Sequence, residues 1–320
     1  MMDLKSVASE IREIISERQK SLGLVFEEDN HIYTMGGRQD YPSVSKILKK
    51  FYREFPTDEA ALRKSGGDPQ AAEKLKEEWE AAGLYSTNMG SRVHFILEKK
   101  TIERNGNYKE VRQPIFTCDP SQLIKGDAMI KAGEQYIKLM EDRGAVLLDT
   151  EMVLGDPELG YVGQPDKVWI IPNRQKTEFG LVITDWKTNK PKNFVETGYT
   201  DRMYEPFQKY PNTALGHYYL QLPFYGKLLV KMLQGTKYEN LKLYGCVISH
   251  LKEDSVYDEY KVPQEVHSRP LLLAQACRLG AKRVGLQTRL CVDRSPLVAF
   301  HERLAPAQIL LWSCESSWED

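Results

Sequence analysis

The chain has 320 residues and a formal net charge of −1, with 44 basic and 45 acidic side chains. This length allows one large domain or two small ones. The balanced charge excludes a uniformly basic protein, so any nucleic-acid surface must be a local groove. No stretch reaches the roughly 18 apolar residues of a membrane span, and residues 1–20 lack the features of a signal or transit peptide. We therefore expect a cytoplasmic protein with no membrane partner.

The N-terminal part of the chain predicts mainly helices. Apolar residues recur at helical spacing within residues 3–20, and residues 24–27 and 31–35 flank Asp29-Asn30 as in a small hairpin. Ser43 precedes an apolar rhythm that predicts a helix with a serine cap. Three more helices are predicted at 69–83, 88–104 and roughly 126–142.

The middle of the chain predicts a sheet. Short apolar runs bounded by Gly, Pro or Asn are expected to be strands of one sheet, and a helix at 215–234 separates them from two further strands. Pro223 fits that helix only if it begins near residues 220–222. The expected strands are 145–153, 161–171, 179–186, 242–250 and 255–262. The pattern predicts an α/β fold with a central mixed sheet flanked by helices and with helical N-terminal additions.

The composition changes near residue 267. Residues 267–320 contain one lysine, Lys282, and no tyrosine. We expect a main domain at 1–266 and a C-terminal segment at 267–320 that is either a small helical accessory or a poorly ordered tail. The five cysteines form no C-x-x-C pair, which predicts free thiols and neither a zinc site nor an iron–sulfur cluster.

Two acidic residues and one lysine are the strongest functional signal. Gly163-Gln-Pro-Asp166 precedes an apolar run, and the next run ends in Asp185-Trp186-Lys187. Strand alternation places Asp185 and Lys187 on one face, roughly 6–7 Å apart at Cα. If the two runs pair, Asp166 joins them. The alternative is a surface salt bridge between Asp185 and Lys187.

That arrangement suits phosphodiester hydrolysis. Adjacent carboxylates repel each other, and Mg²⁺ relieves the repulsion because oxygen atoms are its preferred ligands. Such an ion polarises the phosphoryl oxygen and acidifies a bound water. Lys187 would orient or help to deprotonate that water and offset the charge developing on phosphate.

Two helical pairs could contribute to the same site. His94 and Glu98 share one helical face with Gly90 one turn earlier, and the His94 imidazole can ligate a metal ion. Gln221 and Tyr225, also one turn apart, can hydrogen-bond phosphate or stack on a base. Ordinary helix packing is the alternative for each pair.

In this order the motifs resemble those of the PD-(D/E)XK nuclease superfamily. The RecB-like branch, which includes phage exonucleases and the mitochondrial genome maintenance exonuclease, is the most similar. The motifs are Gly90-x₃-His94-x₃-Glu98, Glu151, Gly163-x₂-Asp166, Asp185-Trp-Lys187-Thr188, Gln221-x₃-Tyr225 and the segment beginning Tyr41-Pro-Ser-Val-Ser45. They cover residues from about 31 to 262.

The resemblance implies a restriction-endonuclease-like core with Mg²⁺ or Mn²⁺ held by Asp166, Asp185 and the Trp186 carbonyl. It makes Lys187 the catalytic lysine and His94 a further metal ligand. It assigns Gln221 and Tyr225 to substrate contact.

The resemblance leaves two roles open. Glu151 has three possible roles: it supports the metal ligands without binding the ion itself, it binds a second ion, or it is a surface acid at a strand edge. Ser43 and Ser45 either hold a phosphate or simply cap the helix.

The resemblance also implies a function. We expect a metal-dependent deoxyribonuclease, an exonuclease acting on DNA ends or single strands in recombination or repair. Its protein partner would belong to recombination or replication, and a phage-encoded form would work in the host cytoplasm. The alternatives are a structure-specific or restriction-type endonuclease and a non-catalytic nucleic-acid-binding protein.

One segment departs from the branch's pattern. Residues 188–220 are longer than usual and contain aromatic residues interleaved with bases, which suits either single-strand stacking or packing into a core of their own. The aromatic residues include Phe194, Tyr199, Tyr204, Phe207 and Tyr210, and the bases are Lys192, Arg202 and Lys209 among others. A helicase-type P-loop (G-x₄-G-K-[ST]) does not occur in the sequence.

Overall fold

A computed structural model describes residues 3–27, 30–39, 41–195 and 201–267 of the chain. The predicted C-terminal segment beyond His267 and the aromatic residue Tyr199 lie outside these ranges. So does Asp29 of the predicted hairpin turn. Among the described residues, no helix combines the length and apolar character needed to cross a bilayer.

The fold is α/β, with a mixed five-stranded sheet between two layers of helices. The elements in chain order are α1 Leu4–Leu22, β1 Val25–Glu27, β2 Ile32–Thr34, α2 Val44–Leu48, α3 Thr57–Lys64, α4 Pro69–Arg104, α5 Pro120–Asp142, β3 Val146–Thr150, β4 Leu154–Asp156, β5 Tyr161–Gly163, β6 Lys167–Pro172, β7 Phe179–Lys187, α6 Ala214–Met232, β8 Leu243–Leu251, β9 Tyr257–Lys261 and α7 Gln264–His267. Two 3₁₀ turns at Lys49–Phe51 and Pro191–Asn193 complete the set.

The central sheet has the strand order β3-β6-β7-β8-β9. Only β7 and β8 pair in parallel; the other neighbours are antiparallel. A parallel pair needs a crossover connection, and α6 lies in that connection. The mixed sheet predicted from the sequence is confirmed.

Side-chain alternation along β6 and β7 gives the sheet two buried faces. Ile170 and Ile183 face α6, α1 and α2, whereas Trp169 and Val182 face α4 and α5. We call these the α6 face and the α5 face. Because both faces are covered, these strands are apolar almost throughout.

One prediction about the strands is wrong. The run at 161–171 is two elements, and β4 and β5 form a separate two-stranded sheet rather than part of the central one. Pro165 cannot donate a ladder hydrogen bond, so it separates β5 from β6. Glu151 has φ of 44°, which turns the chain away after β3.

The helices predicted at 69–83 and 88–104 are also a single element, the 36-residue α4. Its start is fixed by Asp68, whose side chain accepts from the backbone N–H groups of Gln70 and Ala71, and by Pro69 at the first helical position. Gly83 costs about 1 kcal/mol of helix propensity. The helix continues through it because α3 packs on the first part and α5 on the second.

Two other helix boundaries differ from the prediction. α5 begins at Pro120 rather than near residue 126, because Asp119 and Gln122 form a capping box. α6 begins at Ala214, so Pro223 lies inside the helix and not at its start. Burial of Pro223 and its neighbours in the core compensates for the backbone hydrogen bond lost at proline.

The hairpin of β1 and β2 and the serine cap of α2 are both confirmed. Ser43 Oγ accepts from the Lys46 backbone N–H at 3.2 Å. The cap belongs to a helix of only five residues, which continues as a 3₁₀ turn through Phe51.

Alanine substitutions at Gly133 in α5 and Gly83 in α4 test the packing between these two helices. A Cβ at Gly133 would lie 2.4 Å from a Leu97 methyl carbon, whereas a Cβ at Gly83 would meet nothing within 4 Å. We expect Gly133→Ala to lower the free energy of unfolding, because overpacking costs about 1–3 kcal/mol. Gly83→Ala should raise it by up to about 1 kcal/mol, through helix propensity alone. Urea denaturation of both variants measures the difference; equal stabilities would contradict this packing.

Candidate metal centre

The register of β6 and β7 brings the predicted acids together. Lys167 pairs with Thr184, so Asp166 at the start of β6 lies beside the end of β7. Asp166 Oδ2 accepts from the Trp186 backbone N–H at 2.8 Å. The pairing predicted between the two apolar runs is thus present, and the bond locks the Asp166 carboxylate against the last residues of β7.

His94, Glu151 and Asp166 converge from three separate elements. One potential ligand atom from each side chain lies within 4.8 Å of the others. His94 Nδ1 is 3.4 Å from Asp166 Oδ2. Glu151 follows β3, and its backbone N–H donates to the Asp166 carbonyl at 3.0 Å. Glu151 therefore lies within the acidic cluster, which rules out the strand-edge surface acid considered from the sequence.

Asp185 and Lys187 form an ion pair beside this cluster. Lys187 Nζ lies 2.6 Å from Asp185 Oδ2, and Asp185 is only 3% exposed. The pair is therefore buried, and the alternative interpretation from the sequence, a surface salt bridge, is wrong. Asp185 is not one of the three converging side chains but lies beside them, with its Oδ2 facing Lys187.

Burial and like charge shift the pKa values of the acids. Burial, followed by the nearby Asp166 carboxylate, raises the pKa of Asp185 to about 7. Burial and the charges of Asp166 and Glu98 raise the pKa of Glu151 well above its ordinary value. Neutralising this cluster is therefore favourable, and a divalent cation can do so without protonating it.

The donor set fits a hard divalent ion. Carboxylate oxygens are preferred ligands of Mg²⁺ and Mn²⁺, and an imidazole is compatible with the latter. Burial and the positive charge of Lys187 lower the pKa of His94 to about 3, so its ring is neutral near pH 7 and can donate a lone pair. A hydrogen bond between His94 and the Trp186 backbone acts in the opposite direction and places that backbone in the site.

Lys187 keeps its charge in these surroundings. Burial alone would lower its pKa, but Asp185 and Asp166 more than compensate and raise it. Its Nζ also lies 4.3 Å from the centre of the Tyr218 ring on α6, a cation–π contact. The group is an ammonium that can donate hydrogen bonds, which favours orienting a water over deprotonating it.

Lys167 is a functional candidate that the sequence reasoning missed. It is 1% exposed and its Nζ lies 4.1 Å from the centre of the Trp186 ring. Burial lowers its pKa to about 8, although Asp166 and Glu151 act to raise it. Strand alternation places Lys167 on the α5 face, beneath the acids. The signal in the sequence was a lysine at an alternate position of an otherwise apolar strand.

Gln221 and Tyr225 lie on the α6 side of the cluster. Gln221 Nε2 donates to the Tyr225 hydroxyl. Tyr225 is buried, and its ring occupies the space where a Cβ at Gly163 would lie, 2.5 Å away. Gly163 of the G-x-x-D motif is thus explained by the Tyr225 ring, and Gln221 is the more accessible of the two predicted substrate contacts.

The remaining predicted residues have plain structural partners. Ser43 is buried and caps α2, whereas Ser45 is exposed with its Oγ 3.0 Å from Ser43 Oγ. Glu98 accepts from Thr150 Oγ1 at 2.8 Å and does not belong to the converging set. A Cβ at Gly90 would lie 3.1 Å from Thr188 Oγ1, so glycine there lets α4 approach the end of β7.

Comparison with known proteins gives no family assignment. No family model matches the chain. No curated protein matches it significantly either.

We expect the cluster to bind a divalent ion and to stabilise the fold when it does. Mg²⁺ or Mn²⁺ at about 100 times the dissociation constant should add about 2.7 kcal/mol to the free energy of unfolding. Asp166→Asn should lose most of this gain, because it removes a central carboxylate. Asp149→Asn is the matched control, because Asp149 pairs with Lys109 outside the cluster. An unchanged metal-induced shift of the melting temperature in Asp166→Asn would contradict the site.

Lys167→Met should have two effects of opposite sign. Without metal, the buried carboxylates lose a nearby compensating cation, so the free energy of unfolding should fall. With metal, the affinity should rise, because one competing positive charge is gone. Calorimetric titration with Mn²⁺ measures the second effect. Lys231→Met serves as the control, because Lys231 pairs with Glu158 near the end of α6, and weaker metal binding by Lys167→Met than by this control would be inconsistent with our interpretation.

Proposed function

We propose that the protein is a metal-dependent deoxyribonuclease that hydrolyses DNA phosphodiester bonds. The observation that carries the proposal is the convergence of Asp166, Glu151 and His94 beside the buried Asp185–Lys187 pair. Resemblance of the motifs to the RecB-like branch supports the same reaction and favours attack from a DNA end. A bound Mg²⁺ or Mn²⁺ would supply Lewis-acid polarisation of the phosphate and an acidified water.

The protein's own residues divide the remaining tasks. The carboxylates of Asp166 and Glu151 and the neutral His94 ring would hold the ion, with Asp185 and the Trp186 carbonyl completing the set. Lys187 would donate hydrogen bonds to the attacking water or to a phosphate oxygen. Negative charge builds up on the phosphate in the transition state, so a fixed ammonium there stabilises it more than the ground state.

Gln221 is suited to position the substrate. It lies on the same helix as Tyr218, whose ring contacts Lys187, and its amide is held by Tyr225. A half-buried amide can donate to a phosphate oxygen without bringing charge. Ser45 is exposed near the start of α2 and offers its hydroxyl to the substrate. Ser43, two residues earlier, caps the helix.

Lys187→Ala should lower the cleavage rate by at least about 10²-fold, because it removes a charged donor from the transition state. Metal-dependent binding of DNA should persist in that variant, since the carboxylates and His94 remain. The assay is a time course on labelled linear DNA with Mg²⁺ or with EDTA. Lys138→Ala is the control, because Lys138 pairs with Asp142 on the exposed side of α5. Full activity of Lys187→Ala would refute the assignment.

End dependence is tested by substrate topology. Linear DNA should disappear while circular and end-blocked DNA of the same sequence persist. Cleavage of the circle at a comparable rate would replace the exonuclease with an endonuclease, and metal-independent binding without cleavage would indicate a non-catalytic DNA-binding protein.

A further inference from the structure

A small cavity lies next to the Lys187 end of the site. It has a volume of about 210 Å³, and Tyr52, Phe55 and His217 supply its rings. His217 directly precedes Tyr218 on α6, and the Tyr218 ring lies 4.3 Å from Lys187 Nζ. His217 is also one helical turn before Gln221. The Tyr218 charge also contributes to the raised pKa of Tyr52 in the cavity lining, after burial and Glu54, so Tyr218 lies near both the cavity and Lys187.

The rings of Tyr52 and His217 are already stacked. Their centroids are 3.8 Å apart and their planes differ by 16°. Asn212 Oδ1 is 2.7 Å from His217 Nε2, and because a carbonyl oxygen only accepts, Nε2 must donate. Asn212 Nδ2 in turn donates to the Arg53 carbonyl at 3.0 Å. The 201–212 segment thus fixes the His217 ring in place for stacking.

The charged side chains that line this cavity disfavour the binding of a phosphate group. Glu54 and Asp201 line the cavity together with Arg53, and carboxylates repel a phosphate but accept hydrogen bonds from N–H groups. Burial lowers the pKa of His217 to about 4, so its ring is uncharged near pH 7. What fits is a flat, neutral group that carries N–H donors. The volume is below the ~300–1,000 Å³ of sites for drug-sized ligands, which limits the occupant to about one ring system.

We propose that this cavity is a base-stacking subsite, in which one nucleobase of single-stranded DNA lies on the outer face of the stacked Tyr52–His217 pair and beside Phe55, close to the scissile phosphate. The proposal rests on the nuclease function proposed above and names the residues that would select a single strand. A base in a duplex is already stacked and paired, so only an unpaired base can enter without an unpairing cost. Stacking tolerates every base because each has an aromatic face. The subsite therefore favours single strands without reading their sequence.

A second cavity beside Phe55 marks where this subsite ends. It lies between Phe55 and Trp79, and its lining includes Glu73, Glu77 and Glu80. Three acidic side chains on one wall are unsuited to a DNA backbone. Trp79 also does not line the first cavity, so it is not part of the proposed subsite.

The test measures binding of a short single-stranded oligonucleotide in the presence of Mg²⁺, in a Lys187→Ala background that does not cleave it. Tyr52→Leu should weaken binding by about tenfold or more, the usual effect of losing one aromatic stacking partner. Tyr52→Phe should restore it. The slope of affinity against salt concentration should not change, because no phosphate contact is lost. Tyr204→Leu is the matched control, since Tyr204 is 51% exposed in the same region but does not line the cavity.

An abasic scan needs no substitution in the cavity. A single abasic position moved along the oligonucleotide should weaken binding at one place, and that loss should vanish in Tyr52→Leu. A merely structural role for Tyr52 would leave the positional effect intact. If the protein binds and cleaves DNA but the abasic profile is flat, or is the same in Tyr52→Leu, the subsite is wrong and the nuclease stands. If the protein neither binds nor cleaves DNA, the proposed function itself is overturned.

Discussion

Repulsion among carboxylates at one edge of the central sheet is the constraint on which the site depends. Asp166 and Asp185 are brought together by the antiparallel pairing of β6 and β7, and Glu151 is brought to them by the pairing of β3 with β6. Buried like charges are tolerated only when compensated. The protein supplies two ammonium groups, Lys187 on the α6 face and Lys167 on the α5 face. The pKa values of Glu151 and Asp185 stay raised in their presence, so compensation is incomplete and a cation is favoured.

Both helical layers are needed to complete this arrangement. His94 arrives from α4, whose neighbouring residues pack on the α5 face, whereas Gln221 and Tyr218 arrive from α6 on the opposite face. The length of α4 matters here, because its N-terminal part packs against α3 while its later turns pass the end of β7. Gly90 permits that close passage by leaving room for Thr188. The site is therefore held by the tertiary packing of rigid elements more than by any one loop.

The sequence predicts this site well where local periodicity determines the outcome. Strand alternation correctly places Asp185 and Lys187 on one face, and the serine cap of α2 follows from residue type. Prediction from the sequence fails where tertiary contacts determine the structure. Gly83 weakens a helix locally, yet packing on both sides carries α4 through it. The role of Glu151 depends on a left-handed backbone turn, and that of Lys167 on how a long side chain lies beneath its neighbours. No rule of residue spacing predicts this backbone turn or the position of this side chain.

The segment between β7 and α6 packs into the core and also orients one residue of the proposed base subsite. Phe194, Phe207 and Tyr210 are buried in the core on the α6 face, so most of the aromatic residues described in this segment serve packing, within the shared core rather than one of their own. Asn212, by contrast, fixes His217 at the edge of the cavity. In the proposed enzyme, charge at the sheet edge would handle the phosphate and neutral rings would handle the base. Stacking on rings accepts every base, because each base has an aromatic face. In that proposed enzyme, cleavage would depend on strand character more than on sequence.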